Sequence, residues 1–139
     1  MKKLLLRTAA LLTFLFSTSV FAEIVVIVHP TNDSTLDKDV VKKIYLGKTK
    51  SFSNGQKIQA YDLQNGSDIR NSFLQSLLKK SGSQYKAYWS KLLFTGKGKP
   101  PAEKSSEDDI VNEVASNPSA IGYVDSTKVT DAVKVIVTL

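Results

Sequence analysis

A single α/β domain is the fold this sequence predicts, and three observations carry that prediction. The chain's 139 residues suffice for one domain and not for a large multidomain enzyme. Runs of β-branched residues alternate with segments of helical period in the order β-α-β-α-α-α-β-β. No internal repeat, low-complexity tract or interdomain linker interrupts that order.

The first 22 residues stand apart from it. Lys2, Lys3 and Arg7 precede an apolar stretch from Thr8 to Phe21, and Val20 and Ala22 occupy the small-residue positions that signal peptidase reads. Residues 1–22 are therefore expected to be a cleaved signal peptide. Residues 23–139 are expected to be one soluble, exported, periplasmic domain beginning at Glu23. The stretch is short for a membrane span, and no cysteine follows it to take a lipid.

Each element of the remaining chain has a local cause. Glu23 to His29 (EIVVIVH) is nearly continuous in apolar β-branched residues, which suits a strand covered on both faces, as in a parallel sheet. After the turn at Pro30 to Ser34, Asp37 is placed to cap a helix, with Leu36 stapling against Val41 and Gly47 as the stop. Lys48 to Gly55 reads as a loop ending in an Asn-Gly turn, and Lys57 to Leu63 as a second strand. Ser67 is placed to cap a helix running to about Lys80, with Ile69, Phe73, Leu74, Leu77 and Leu78 on its apolar stripe.

Ser83 is expected to cap a third helix with Tyr85, Tyr88, Trp89, Leu92 and Leu93 on or near one face, of which the aromatic stripe Tyr85, Tyr88 and Trp89 reads as core. Thr95 to Ser105 reads as a loop of Gly, Pro and Lys. Ser106 opens a fourth helix with Glu107, Asp108 and Asp109 in its first turn, where carboxylates favour the helix dipole. Asn117-Pro118 ends it. Ala120 to Val124 and Val133 to Leu139 are the last two strands.

Composition closes many functional classes. With no cysteine there is no disulfide, thiolate nucleophile or cysteine metal site, and the single histidine, His29, excludes sites built on several imidazoles. No metal or cofactor motif is present, and no base and nucleophile stand in a recognisable relation, so a non-enzymatic role is expected. The formal charge of +6 depends on the leader: without its three basic residues, 16 remain against 13 acidic ones. So mild an excess gives no ground for nucleic-acid binding.

The one motif that suggests a ligand is Gly66-Ser67-Asp68-Ile69-Arg70. A strand, a glycine turn and a serine-capped helix start present free backbone N–H groups at the positive end of a dipole, a geometry suited to an oxyanion. Arg70 is the only arginine after the leader, and its guanidinium is the group best shaped to fork onto oxyanion oxygens. The same residues are also explained if Ser67 only caps and Arg70 pairs with Asp68 or solvent. His29 closes the first strand, at an edge where α/β proteins often place ligands. Lys97, Lys99 and Lys104 flank the Gly-Pro loop as a basic rim.

Several segments together resemble a known family. Ile44-Tyr45-Leu46-Gly47-Lys48 with Phe52-Ser53-Asn54-Gly55 is similar to a helix end and "NG" turn of phosphate-type periplasmic substrate-binding proteins. Ser67-x-x-Arg70-x-x-Phe73 resembles their anion-binding helix start. Tyr88-Trp89, Phe94-Thr95-Gly96-Lys97-Gly98, Pro100 and Ala120-Ile121-Gly122-Tyr123-Val124 fit its short, single-lobe members in order, over most of residues 24–139.

The resemblance implies one periplasmic-binding-protein-like lobe, a mixed sheet flanked by about four helices. It implies inorganic phosphate or a similar oxyanion as ligand, bound by Gly66, Ser67, Asp68, Ile69 and Arg70. It also implies a membrane transporter or sensor of the phosphate uptake type as partner. A homodimer is one way to supply the second lobe, and an accessory protein that docks without tight ligand binding is the alternative reading. The family commonly reads Ser-Gly-Thr-Arg at the helix start. Here Ile69 removes a hydroxyl, and Asp68 sets a carboxylate near the expected anion.

Overall fold

The structure is a computed structural model and describes residues 23–139; the expected signal segment lies outside the described residues. Five strands form one sheet, β1 (Ile24–Val28), β2 (Gln59–Leu63), β3 (Ala102–Lys104), β4 (Ala120–Asp125) and β5 (Lys134–Thr138), in the order β3-β2-β4-β1-β5. Four helices accompany them, α1 (Lys38–Tyr45), α2 (Asp68–Phe73), α3 (Gly82–Phe94) and α4 (Glu107–Ser116). The α/β class and the mixed sheet with four helices follow the sequence reading.

Strand direction corrects one expectation. All of β1 is buried, as its unbroken apolar run requires, yet it pairs antiparallel with both β4 and β5. Burial on two faces needs layers on both sides, whichever way the neighbouring strands run. The parallel part of the sheet is β3-β2-β4. β3 was expected to be loop: three residues, none of them large and apolar, carry no strand signal, and only pairing with Tyr61, Asp62 and Leu63 creates it.

Helix starts obey their caps. Asp37, Ser67 and Ser106 each accept the backbone N–H three residues on, at 2.8, 3.2 and 3.1 Å. The third helix begins earlier than expected. Ser81, not Ser83, caps it, in a reciprocal pair with Gln84 that satisfies both backbone N–H groups. The helix expected to run from Ser67 to Lys80 is α2 followed by a wider π turn at Leu74–Leu78, ending where Lys79 turns left-handed at φ 54°. That turn buries Leu74, Leu77 and Leu78 together.

Consecutive residues of β4 reveal the layers. Gly122 faces the Ile110 side chain of α4, and a Cβ there would overlap it. Tyr123 faces the other way and stacks on Phe73 of α2 at 3.7 Å, with Tyr45 of α1 edge-on to that pair. Thus α4 covers one face of the sheet and α1 and α2 the other. Helix α3 closes over α1: the hydroxyls of Tyr85 and Tyr88 donate to the carbonyls of Tyr45 and Leu46 at 2.7 and 2.6 Å, satisfying acceptors at a helix end. Tyr85 and Trp89 are core as expected, whereas Leu93 is exposed.

Candidate functional site

Because β2, β3 and β4 run parallel, their carboxyl ends share one edge of the sheet, the position at which open α/β sheets place ligands. From that edge α2 leaves after β2, α4 leaves after β3, and a single 3-10 turn at Ser126–Lys128 leaves after β4. The segments are tied together there. The N–H of Gln64 donates to the Lys104 carbonyl at 3.1 Å, and the N–H of Asp125 donates to Glu107 Oε1 at 2.7 Å.

Two serine-capped helix starts therefore meet across a cleft of about 380 Å³ lined by Asn65, Ser67, Ser106, Glu107, Asp108 and Lys128. Gly66, at φ 94°, makes the turn that brings Ser67 to it. Each cap satisfies one N–H of its helix. The first-turn N–H groups of Asp68 and Ile69 in α2, and of Glu107 and Asp108 in α4, have no partner within their helices. Such groups are complementary to an anion. The side chains oppose it: Asp68, Glu107, Asp108 and Asp109 bring four carboxylates to these two helix starts. Lys128 answers one of them, with Nζ 3.7 Å from Asp108 Oδ1.

Arg70 separates from the other residues of its motif. Its backbone N–H goes to Ser67 Oγ, and its side chain, 6% exposed, turns away from the cleft to Asp62. Nε lies 3.2 Å from Asp62 Oδ2, while Asp62 Oδ1 accepts from the Tyr123 hydroxyl and from the N–H of Leu63. Burial pushes the Asp62 carboxyl above its usual range, against the opposing pull of Tyr123 and Arg70. The guanidinium lines a neighbouring cavity beneath α3 instead. Of Gly66, Ser67, Asp68, Ile69 and Arg70, only Ser67 lines the cleft, and the Arg70 guanidinium lies in the neighbouring cavity.

Sequence reasoning paired Arg70 with Asp68 or an anion and missed Asp62. A readable signal existed, since Asp62 is a lone carboxylate in the buried end of a strand and calls for a cation. His29 lies at the opposite edge from the cleft, because β1 runs antiparallel to β4; its Nδ1 is 2.8 Å from Thr31 Oγ1. Among the described residues no three acidic or histidine side chains gather to hold a metal, and no helix is long and apolar enough to cross a membrane.

Beside the cleft, Lys104 Nζ meets Glu113 Oε1 at 2.8 Å and the Tyr61 hydroxyl donates to Glu113 Oε2 at 3.1 Å. The Lys104 ammonium, then the Tyr61 hydroxyl, hold the Glu113 carboxyl below its usual range. A carboxyl depressed in the folded state stabilises fully above its unfolded pKa, about 4.3, and that contribution fades as pH falls through the folded value. The unfolding free-energy gap between wild type and Glu113→Gln, from urea melts, is expected to narrow between about pH 5 and pH 3. A gap that is constant or widens over that range contradicts the assignment. Asp62, raised by burial, has the opposite sign and sets a background common to both proteins.

No family model and no curated protein matches the chain. Solved structures do. The chain is similar to an ABC-type phosphate transport receptor from Vibrio cholerae, at 21% identity and a TM-score of 0.64, over 83% of this chain and 46% of that one. It is similar to a Clostridium perfringens protein assigned as a phosphate ABC transporter substrate-binding protein and solved with bound phosphate, at 22% identity and a TM-score of 0.64, over 84% and 46%. PstS from Borrelia burgdorferi matches at 16% identity and a TM-score of 0.63, over 86% and 49%. The shared feature is the fold, that of a single lobe of these proteins. The chain spans less than half the length of each.

Proposed function

We propose that this chain is a non-catalytic, periplasmic binding module that takes phosphate or a related oxyanion at the start of α2, within an ABC-type phosphate uptake or sensing system. The observation that supports it best is the pair of serine-capped helix starts at the carboxyl edge of the sheet, in the fold of one lobe of phosphate receptors. Gly66 sets the turn. The Ser67 hydroxyl and the N–H groups of Asp68 and Ile69 donate to the anion. Arg70 anchors the helix start through Asp62.

Magnitudes make this a weak half-site. A helix start contributes about 0.3–1 kcal/mol toward a surface anion and each charged hydrogen bond about 1.5–3, which corresponds to millimolar or high-micromolar dissociation constants. The Asp68 carboxylate lowers the total. A second lobe, from another copy of the chain or from a membrane transporter or sensor, completes the site, so binding tightens with protein concentration if the copy supplies it.

A second reading, an accessory lobe that docks without tight ligand binding, draws on one observation: the charge of Arg70 is already matched internally by Asp62. Backbone amide NMR separates the two. Phosphate is expected to shift the Asp68 and Ile69 amides saturably in the millimolar range. Ser67→Asp, an equally good cap that adds a negative charge, is expected to abolish that shift without loss of fold. No movement of either amide at several millimolar phosphate rejects the anion site and leaves the accessory reading.

A further inference from the structure

The geometry points to a second binding pocket, beneath the start of α3, for a small organic anion that joins one carboxylate or phosphate group to a flat apolar body. The cavity measures about 540 Å³, within the range of small-molecule pockets. Its polar end is built around Arg70, whose side chain is 94% buried by the 6% exposure it retains. Among the described residues only Nε of that guanidinium has a hydrogen-bond acceptor, Asp62. Both oxygens of Asp62 are already engaged, by Arg70, Tyr123 and Leu63. The Nη groups therefore have no acceptor among the described residues and open onto the cavity.

Their surroundings are rich in donors, with Arg70 and Lys86 matched in number by Asp62 and Glu103. Nη1 lies against Gly82, where a Cβ would stand 3.1 Å from it and the same distance from Asn65 Oδ1. Gly82 and Ser83 are the first two residues of α3. Its capping box uses the N–H groups of Ser81 and Gln84, which leaves those of Gly82 and Ser83 without a helical partner. These N–H groups stand at the positive end of a 13-residue helix, and Lys86, one turn on, lines the same cavity. Glu103 is the one carboxylate besides Asp62 in the lining.

The other end is apolar. Tyr85, Trp89, Leu93, Pro100 and Pro101 form the walls, with the Tyr85 ring centre 5.7 Å from Arg70 Cζ. The buried Trp89 Nε1 also has no hydrogen-bond partner. Inorganic phosphate fills only the Arg70 end of such a pocket, whereas an aryl phosphate uses both ends. The site adjoins the cleft at α2, sharing only Asn65 with its lining, and its occupant is defined by that pairing of charge with a flat face.

Trp89 is the only tryptophan in the chain, so its fluorescence reports on this cavity directly. The test is titration with phenyl phosphate and with inorganic phosphate. Phenyl phosphate is expected to change the emission saturably and to bind about tenfold more tightly than inorganic phosphate. Ser83→Asp places a carboxylate in the first turn of α3, where it favours the helix, and is expected to weaken phenyl phosphate binding at least about tenfold with no fall in melting temperature. Lys86→Glu, at an exposed position of the lining, is expected to weaken it in the same direction. Ser67→Asp, which tests the α2 cleft, is expected to leave it unchanged. No saturable change, equal affinity for the two ligands, or undiminished binding in both Ser83→Asp and Lys86→Glu overturns the proposal.

Discussion

Replacing Arg70 by alanine is expected to lower the unfolding free energy by about 3–5 kcal/mol, the cost of leaving a buried carboxylate without its cation. Asp62 is 3% exposed and stands among Tyr123, Leu63 and the aromatic layer of Tyr45 and Phe73. Burial already favours its protonated form, so without Arg70 the carboxyl must take up a proton or draw water into the core. The double variant Asp62→Asn with Arg70→Met keeps the volume and removes both charges. It is expected to lose less than Arg70→Ala alone, because the charge left unpaired, rather than the pair, carries most of the cost. Urea melts of Arg70→Ala and of the double variant check this. A loss below about 1 kcal/mol in Arg70→Ala would mean that the pair is hydrated.

Gly47→Ala is expected to cost about 2–4 kcal/mol, from two causes acting on one atom. The residue ends α1 at φ 72°, where a side chain is strained, and a Cβ there would stand 2.5 Å from Cη2 of the buried Trp89. Gly55 is the natural control. It has φ 87° and no atom within 4 Å of the Cβ position, so Gly55→Ala is expected to show the backbone cost alone, about 1–2 kcal/mol. The difference between the two losses in thermal or urea melts measures the collision with Trp89. Equal losses would mean that the indole moves aside freely, and a shifted Trp89 emission in Gly47→Ala would show the same.

How much of this was readable from the sequence depends on how local each cause is. Caps are local, so Asp37, Ser67 and Ser106 could be placed from spacing alone. Ser81 was misplaced at Ser83 because two serines flank Gly82 and the Ser81-x-x-Gln84 pairing that decides between them was not weighed. The run from Ile24 to Val28 announced burial on both faces but carries no record of strand direction, which β4 and β5 set. β3 exists only through its pairing with β2. The Gly66 turn and the Ser67 cap were legible because each has a local signature. The fate of the Arg70 guanidinium was hidden because it depends on Asp62, across the strand-to-helix turn, and on Gly82, which lets α3 approach.

The chain's span of less than half of its structural neighbours and the two acidic helix starts both bear on how strongly the proposed site holds an anion. Calorimetric titration of the chain from Glu23 with phosphate, and with sulfate beside it, tests that directly. The account predicts weak saturable heat with a dissociation constant between about 0.1 and several millimolar, suppressed in Ser67→Asp. Sub-micromolar phosphate binding by a monomer contradicts a half-site, and absence of heat up to several millimolar contradicts an anion site at α2 altogether.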